Sequence, residues 1–360
     1  MNADFIIIGG GIAGLSAGGR LSEHGKVLVL EAEHAVGYHA SGRSAAMFEE
    51  NYGNRSTVAL SRASATYHET HNGGYLTPRG LLLVAGEAQK AAYEADLDEL
   101  SLHPVSLDQA LDMVPILNPD AVQFAAHHVH ARDLDTDRMM QDFAKQIRQG
   151  GGQVLTRHVV SGIERLDGKG WRVLVGDQSF EAPILVNAAG PWVDEIAAMA
   201  GMAPIGIQPK RRSMARLPAP GGLDVSAWPM LMGVGESWYA KPDAGKLLVS
   251  PADAEPTTPH DAYADDMVLA EGLARYEAMV TEPVTRVETN WAGLRSFVAD
   301  KALVLGPDPA DRSFVWSAAQ GGYGFQTAPA ASRLVADLVT GATPELDAVT
   351  LADLSPERLR

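Results

Sequence analysis

Cysteine is absent from the 360 residues of the chain. Disulfide bonds, thiolate metal ligands, a nucleophilic cysteine and a cysteine-linked cofactor are therefore excluded. The nearest approach to a metal-binding pattern is the histidine run at His127, His128 and His130. Neighbouring residues of a strand point to opposite faces, and no carboxylate completes a known metal-ligand spacing, so no metal site is predicted.

Positive charge is also scarce, with 29 lysines and arginines against 45 aspartates and glutamates and a formal net charge of −16. Nucleic acids and anionic membrane surfaces require a basic face, so neither is predicted as a partner. The sequence has no apolar run long enough to span a bilayer, and its first strand begins too early for a signal peptide to precede it. These features predict a cytoplasmic protein without an integral membrane segment.

The N-terminal segment has the pattern of a dinucleotide-binding βαβ unit. An apolar strand at 4–8 runs into the G-x-G-x-x-G spacing of Gly9, Gly11 and Gly14, and a helical pattern and a second strand ending in Glu31 follow. The glycines permit a tight turn, a close approach of a pyrophosphate and close packing of the helix on the strand. The helix N-terminus attracts the diphosphate, and Glu31 can accept hydrogen bonds from a ribose. This order of elements predicts binding of an ADP moiety; the alternative is a glycine-rich turn of an ordinary α/β sheet.

The remaining hydrophobic pattern predicts an α/β fold with a discontinuous Rossmann-like domain. Five apolar runs could form parallel strands of one sheet, at 4–8, 26–31, 153–160, 183–189 and 302–306. Helical periodicity occurs at 137–149 and 326–340. Residues 75–125 and 203–292 hold alternating strands separated by proline-rich turns, which indicates a second, largely antiparallel sheet. We therefore expect a dinucleotide-binding domain of residues 1–74, 137–202 and 293–360, with an inserted substrate domain of residues 75–136 and 203–292.

Three segments favour a flavin over a nicotinamide. Residues 183–192 have the pattern of a buried strand ending in small residues, which suits a backbone passing close to a flat ligand. Residues 319–327 place glycines before a helix, and the N–H groups of such a helix end can face the N1–C2=O edge of a reduced flavin. The loop at 36–47 is rich in small and hydroxyl residues, as expected around a ribityl chain. A flexible surface turn is the alternative for the glycines at 321–324.

These segments resemble the FAD-dependent D-amino-acid oxidase, glycine oxidase and sarcosine oxidase family over nearly the whole chain. Within the family, the chain is similar to the D-arginine dehydrogenases, which have broad specificity for D-amino acids. The strings that carry the resemblance are Gly42–Ala46, Val186–Gly190, Gln208–Ser213, Lys241–Gly245, Trp291–Phe297 and Ala319–Gly324. The resemblance implies non-covalent FAD in a Rossmann-like domain of the glutathione-reductase type.

We expect cofactor contacts in three parts of the chain: the N-terminal βαβ unit, the loop at 36–47 (the flavin loop), and the ends of the later strand and helix. These contacts are expected from the glycine fingerprint, from the strand that ends in small residues, and from the resemblance. They are Gly9, Gly11, Ala13, Gly14, Glu31, Ala32, Ala40, Ser41, Gly42, Arg43, Ser44, Ala45, Ala46, Met47, Val160, Ala188, Gly190, Gly321, Gly322, Tyr323, Gly324, Phe325 and Gln326.

The substrate site of an amino-acid oxidoreductase must hold a carboxylate, and guanidinium groups do this with paired, planar hydrogen bonds. The resemblance assigns that role to Arg212 and Arg295, and it places Tyr52, Tyr239 and Gln326 around the same space. From the residues alone, Arg212 could equally be a solvated surface charge, and either tyrosine could be a packing residue. Arg295 stands in an apolar string, where a buried arginine requires an anion.

Two departures from the D-arginine dehydrogenase pattern bear on the substrate. Met47 stands where that pattern has a histidine beside the flavin, and Gly80 aligns with a glutamate that meets the substrate guanidinium. Without that carboxylate, a cationic substrate end would be buried unpaired. We therefore expect a substrate with a neutral, apolar side chain and weak or no activity on D-arginine.

The predicted function is FAD-dependent oxidative deamination of a D-amino acid, by hydride transfer from Cα to flavin N5. The imino acid then hydrolyses to a 2-oxo acid and ammonia, and oxygen or a quinone-type acceptor reoxidises the flavin. No side chain is required as an obligatory strong base. The alternatives are oxidation of secondary amines such as sarcosine or proline derivatives, or of glycine; oxidation of 2-hydroxy acids; and a non-catalytic FAD-binding subunit of an electron-transfer complex.

Overall fold

The computed structural model describes residues 3–167 and 170–360. Its helices in chain order are α1 (Ile12–Leu21), α2 (Arg55–Thr70), α3 (Lys90–Leu100), α4 (Leu107–Met113), α5 (Thr136–Gln149), α6 (Val193–Met199), α7 (Asp266–Glu277), α8 (Gly324–Thr340) and α9 (Ala348–Leu354). Its strands in chain order are β1 (Phe5–Ile8), β2 (Val27–Leu30), β3 (Met47–Phe48), β4 (Leu76–Pro78), β5 (Leu81–Ala85), β6 (His103–Val105), β7 (Phe124–His128), β8 (Arg132–Leu134), β9 (Gln153–Leu155), β10 (Gly162–Leu166), β11 (Gly170–Val175), β12 (Gln178–Ala182), β13 (Ile184–Asn187), β14 (Gln208–Leu217), β15 (Met230–Gly233), β16 (Tyr239–Asp243), β17 (Lys246–Ser250), β18 (Thr289–Phe297), β19 (Val304–Pro307) and β20 (Phe314–Ala318).

The first sheet has six strands in the order β19-β20-β13-β1-β2-β9. All neighbours from β20 to β9 pair in parallel, and only the edge strand β19 is antiparallel. Both faces are covered, as the continuous apolar runs predict. On one face Ile7 packs with α1, α5 and α8; on the other, Ile6 and Ile8 pack against the three-stranded sheet β10-β11-β12.

Three expectations about this sheet are corrected. The run at 302–306 forms β19, which is antiparallel to its neighbour because a short turn joins the two strands. The neighbour β20 was not predicted, and it supplies the parallel partner of β13. The strand expected at 153–160 ends at Leu155, after which the backbone of Arg157 and His158 bonds to the residues that follow β2.

The second large sheet has eight strands in the order β18-β14-β17-β16-β15-β5-β7-β6. Every neighbouring pair is antiparallel except β15 and β5, which run in parallel. One face carries a core that includes residues of α4 and α7, such as Ala110 and Leu273. The opposite face, with Met214, Met232 and Tyr239, turns towards the first sheet. The mixed α/β class with a largely antiparallel second sheet is therefore as predicted.

Two further elements lie where the two large sheets meet: a small three-stranded sheet and the strand β18. A small sheet, β3-β8-β4, follows the flavin loop, and β18 crosses the expected boundary at residue 293 while belonging to the eight-stranded sheet. Within the described ranges, no helix is long and apolar enough to cross a membrane.

Candidate active site

A cavity of about 250 Å³ lies between the two sheets. It is bounded by the carboxyl ends of β13 and β20, the N-terminal turns of α1 and α8, the loop at 40–47 and one face of the eight-stranded sheet. The predicted site residues that line it are Gly11, Ala13, Ala40, Ser41, Arg43, Ser44, Ala45, Ala46, Met47, Tyr52, Ala188, Gly190, Arg212, Tyr239, Arg295, Gly321, Gly322, Gly324, Phe325 and Gln326. The predicted residues outside this lining are Gly9, Gly14, Glu31, Ala32, Gly42, Val160 and Tyr323.

The fingerprint has the close packing that a dinucleotide site needs. A Cβ on Gly14 would lie 2.0 Å from the carbonyl oxygen of Gly9, and Gly9 has a φ of +106°, so neither position accommodates a side chain. Glu31 follows β2 and accepts a hydrogen bond from the Gly10 N–H at 2.6 Å. The N-cap residue of α1, Gly11, offers no side-chain acceptor. Ser41 Oγ accepts the Ile12 N–H at 3.0 Å, and the next residue of the first turn, Ala13, lines the cavity.

A second helix N-terminus opens on the same cavity. The N-cap of α8, Tyr323, makes no side-chain cap, and the first turn contains no acidic residue. The preceding Gly321 has a φ of +54° and donates its N–H to Ser296 on β18 at 2.9 Å, which fixes the turn. Two open helix ends on one cavity fit the diphosphate and the ring carbonyl of FAD.

The flavin loop is held by two cations, the partly buried Arg43 and the buried Lys241. Arg43 donates through Nη1 to the carbonyl oxygens of Ala262 and Ala292, at 2.8 and 2.9 Å. The guanidinium of Arg43 is therefore used for hydrogen bonds within the protein and not for a contact with the cofactor. Lys241 donates from Nζ to Ala45 O at 2.5 Å, and the same nitrogen lies 2.9 Å from Asp133 Oδ1.

Arg212 and Arg295 project from the same face of the eight-stranded sheet because of the strand register. Arg212 on β14 pairs with Gly293 on β18, and Arg295 lies two residues beyond Gly293. Side chains two residues apart share a face, so the guanidiniums become diagonal neighbours. We call this pair the arginine clamp. Arg211, which directly precedes Arg212, points to the other face and pairs with Asp253 and Glu255.

A third charged residue, Glu236, joins the arginine clamp. Arg212 Nη1 donates to Glu236 Oε1 at 2.7 Å, and Arg295 Nη1 lies 3.5 Å from the same oxygen. Tyr52 donates its hydroxyl to Glu236 Oε2 at 2.9 Å. The carboxylate belongs to a tight turn in which Gly235 and Glu236 both have positive φ. No local motif in the sequence marks Glu236, and the sequence did not predict it as a site residue.

Burial and the neighbouring charges shift the pKa values of Glu236, Arg295 and Tyr52. Burial opposes ionisation of Glu236, but the guanidiniums of Arg295 and Arg212 outweigh it and lower the pKa of this carboxyl. Burial would lower the pKa of Arg295, yet the adjacent Tyr52 and Glu236 raise it. Burial raises the pKa of Tyr52. The clamp therefore holds two cations and one carboxylate, with one positive charge in excess and a neutral phenol beside it.

The other predicted substrate-site residues have distinct surroundings. Tyr239 is buried on β16, with the Arg212 guanidinium 6.0 Å from its ring centre. Gln326 lines the cavity, but its amide nitrogen donates to Tyr52 O at 3.3 Å and to Ser61 Oγ at 3.1 Å. Its amide is thus engaged in holding Tyr52.

One side of the cavity is apolar. The side chains of this apolar wall come from β5, β14, β15 and the end of α3, and they are Leu81, Leu100, Met214, Met230 and Met232. Gly80 lies beside the wall without lining it. Its φ is +78°, and a Cβ there would lie 2.9 Å from His127 Nε2, so a glutamate could not be placed at this position without strain.

A carboxylate nevertheless lies in the cavity wall, because Glu49 lines it together with Met47. The two residues are two positions apart at the end of β3, which places them on one side of the strand. Glu49 Oε1 accepts the N–H of Asn51 at 3.1 Å, and its Oε2 is buried 3.1 Å from His128 Nε2. The expectation of a neutral, apolar substrate side chain, which was drawn from Gly80, stays a prediction. Alternation along β3 was the signal that could have identified Glu49.

The sequence matches the model of the FAD dependent oxidoreductase (DAO) family over residues 4–338. The chain belongs to this family. FAD is accordingly its cofactor, and the predicted family and fold class are confirmed. The likeness to D-arginine dehydrogenases in particular stays a prediction.

Two relatives are similar to the chain in sequence, and one solved structure is similar to it in fold. The chain is 24% identical over 402 residues to FAD-dependent oxidoreductase domain-containing protein 1 of Bos taurus, covering 94% of this chain and 81% of the relative. It is 23% identical to the glycine oxidase of Pseudomonas putida, covering 96% and 97% of the two chains. The crystal structure of glycine oxidase from Geobacillus kaustophilus superposes with a TM-score of 0.83 at 22% identity, covering 98% of each chain.

Proposed function

We propose that the protein oxidises a D-amino acid to the imino acid, which water then converts to a 2-oxo acid and ammonia. The observation that supports this most directly is the arginine clamp on the wall of the FAD cavity. Two guanidiniums on one sheet face, carrying one excess positive charge with Glu236, match the charge and geometry of a substrate carboxylate.

The residues of the site act by orientation and electrostatics. When bound, FAD would supply the capacity for a two-electron oxidation of the substrate at Cα. Arg212 and Arg295 hold the carboxylate, which fixes the direction of the Cα–H bond. The open N-terminus of α8 would favour negative charge on a cofactor bound in the cavity. Tyr52, kept neutral by burial, offers a hydroxyl that can turn from Glu236 to the substrate carboxylate.

The apolar wall supports an amino acid whose side chain is apolar near Cα. Its leucines and methionines supply dispersion contacts and adaptable shape, and they offer no polar partner next to the reacting carbon. The D configuration follows from the resemblance to the D-arginine dehydrogenases alone. The glycine oxidase relative is consistent with an amino-acid substrate in general.

Anaerobic titration of the FAD-loaded protein tests the proposal. The panel contains both enantiomers of several amino acids, their N-methyl derivatives and the matching 2-hydroxy acids, and flavin bleaching is followed by absorbance. We expect D-amino acids to bleach the flavin and 2-hydroxy acids to leave it oxidised. Faster bleaching by N-methyl amino acids or hydroxy acids would assign the alternative substrates, and no bleaching by any of them would indicate a non-catalytic FAD protein. Admission of air then shows whether oxygen is the acceptor.

A further inference from the structure

Lys241 is a buried lysine in the wall of the FAD cavity, and its ammonium group binds the flavin loop. It lies on β16 two residues beyond Tyr239, so both side chains leave the sheet on the cavity side. Lys241 Nζ donates to Ala45 O at 2.5 Å and to Ala46 O at 3.2 Å. The residue is only 6% exposed, and an ammonium removed from water needs such partners. The lysine therefore fixes the loop to β16.

The two carbonyl groups belong to a bend of the flavin loop that needs support. Ala46 has a φ of +26°, a conformation that residues with a Cβ rarely adopt. The Ala46 N–H donates to Ser44 Oγ at 3.1 Å, and the chain then enters β3 at Met47. All residues from Ser44 to Met47 line the cavity. Lys241 thus holds in place the part of the loop that is expected to contact the cofactor.

The ammonium group also belongs to a set of three charged side chains, Arg79, Asp133 and Lys241, which we call the charged triad. Lys241 Nζ lies 2.9 Å from Asp133 Oδ1, and Arg79 Nη2 lies 2.6 Å from Asp133 Oδ2. The three side chains are between 8% and 19% exposed. Within residues 3–167 and 170–360, neither cation pairs with a second carboxylate. Two cations and one carboxylate leave one positive charge in excess beside the flavin loop.

A positive charge at this place acts on a cofactor in the cavity. Charges are screened less inside a protein than in water, so the excess charge favours negative charge on bound FAD. The chain as a whole works in the opposite direction, because its formal net charge is −16. The excess charge of the arginine clamp is expected to be used by the substrate carboxylate. The charged triad has no such anionic partner, and its charge therefore remains available to the cofactor.

We propose that Lys241 is a positioning residue for FAD, which fixes the bend of the flavin loop and places the excess charge of the triad beside it. The charge raises the reduction potential of the bound cofactor, because FAD gains electrons on reduction. Asp133 moderates the effect by neutralising one of the two cations. The inference concerns only the cofactor, so it does not depend on which substrate the protein oxidises.

Opposite changes of charge in the triad test this proposal, because they should shift the potential in opposite directions. Lys241→Met removes a cation, and we expect the equilibrium constant for two-electron reduction to fall by about tenfold, which is about 30 mV. Asp133→Asn removes the carboxylate and should raise the constant by a similar factor. Lys246→Met is the matched control, since Lys246 lies on the neighbouring strand β17, pairs with Glu288 and does not line the cavity. It should keep the wild-type potential.

The potential is measured by titrating the holoenzyme, without substrate, against a dye of known reduction potential. A displaced flavin loop would shift Lys241→Met and Asp133→Asn in the same direction, whereas a change of charge separates them. Shifts of opposite sign support the proposal, and any other result for the pair overturns it. Arg79→Met replaces either variant that is purified without flavin, and it must lower the potential because it also removes a cation of the triad. Absence of amino-acid oxidation would contradict the proposed function and leave this result unchanged.

Discussion

Arg212 Nη1 donates to Glu236 Oε1 at 2.7 Å, within the cavity where the substrate carboxylate is expected to bind. Arg295 lies 3.5 Å from the same oxygen. The protein therefore pairs its own partly buried guanidiniums with an internal carboxylate, as a cation removed from water requires. A substrate carboxylate must share the clamp with Glu236 or displace it.

We expect Glu236→Gln to bind monocarboxylates several-fold more tightly than the wild type. The amide carries no charge, so the clamp would gain a second uncompensated positive charge and attract an anion more strongly. The measurement is the dissociation constant of acetate or caproate for the holoenzyme, followed by flavin absorbance. Glu255→Gln is the control, since Glu255 pairs with Arg211 on the opposite face of the same strand. Weaker binding to Glu236→Gln would instead make Glu236 an orienting residue of the clamp.

Removal of a clamp arginine should raise KM strongly while FAD stays bound. Arg212→Met and Arg295→Met would each delete the paired hydrogen bonds that we propose to the substrate carboxylate. A loss of about 1.5–3 kcal/mol corresponds to a rise in KM of roughly 10–150-fold. Arg211→Met is the matched control, because Arg211 is next to Arg212 but faces away from the cavity. Flavin content is measured from absorbance after purification. An unchanged KM in Arg295→Met would remove this residue from carboxylate binding.

The sequence predicted the elements whose conformation is set locally. The strand at 4–8, the turn at Gly9 and the helix after Gly11 follow from hydrophobic pattern and glycine spacing, and the structure has all three. The clamp arginines needed more than local pattern. Their shared face follows from the pairing of β14 with β18, two strands separated by more than 70 residues, and only the family resemblance connected them in advance.

The features missed from the sequence depend on tertiary contacts. Nothing near Glu236 marks it as a partner of Arg212 and Arg295; it reaches them only because its turn packs against the sheet. The direction of β19 depends on which strand it meets, and an apolar run alone does not specify it. Lys241 belongs to one of the sequence strings that carry the family resemblance. Its hydrogen bond to the flavin loop, however, depends on the position of β16 beside that loop, which the sequence does not show.

Gly322→Ala should weaken substrate binding through Arg295, and the flavin content of the variant shows whether cofactor binding changes as well. A Cβ on Gly322 would lie 2.9 Å from Arg295 Cζ and 3.0 Å from its Nε, closer than packing allows. The guanidinium would have to move away from the clamp, so we expect KM to rise by about tenfold or more while kcat changes less. Steady-state kinetics and flavin content give the two readouts. A variant with normal KM would show that the guanidinium can shift without loss of carboxylate binding.

His68 predicts a specific pH dependence of stability. The residue is fully buried and its Nε2 lies 2.9 Å from the carbonyl oxygen of Gln326 in the first turn of α8. Burial lowers the pKa of His68 from 6.5 to about 4. Between these values the unfolded chain binds a proton that the folded protein does not, so stability falls as the pH decreases from 6.5 towards 4. The full window corresponds to about 3 kcal/mol.

Replacement of His68 should flatten this dependence. His68→Gln removes the titrating ring while an amide nitrogen remains available to Gln326, so its free energy of unfolding should change less between pH 6.5 and 4 than that of the wild type. His24→Gln is the control, since His24 is exposed. Urea unfolding of the holoenzyme at a series of pH values measures the difference, and a cofactor-free series separates folding from flavin release. Parallel pH profiles for His68→Gln and the wild type would assign the acid sensitivity to other groups. A loss of flavin that appears only when His68 titrates would instead connect the first turn of α8 to cofactor retention, because this imidazole holds the carbonyl of a residue that lines the FAD cavity.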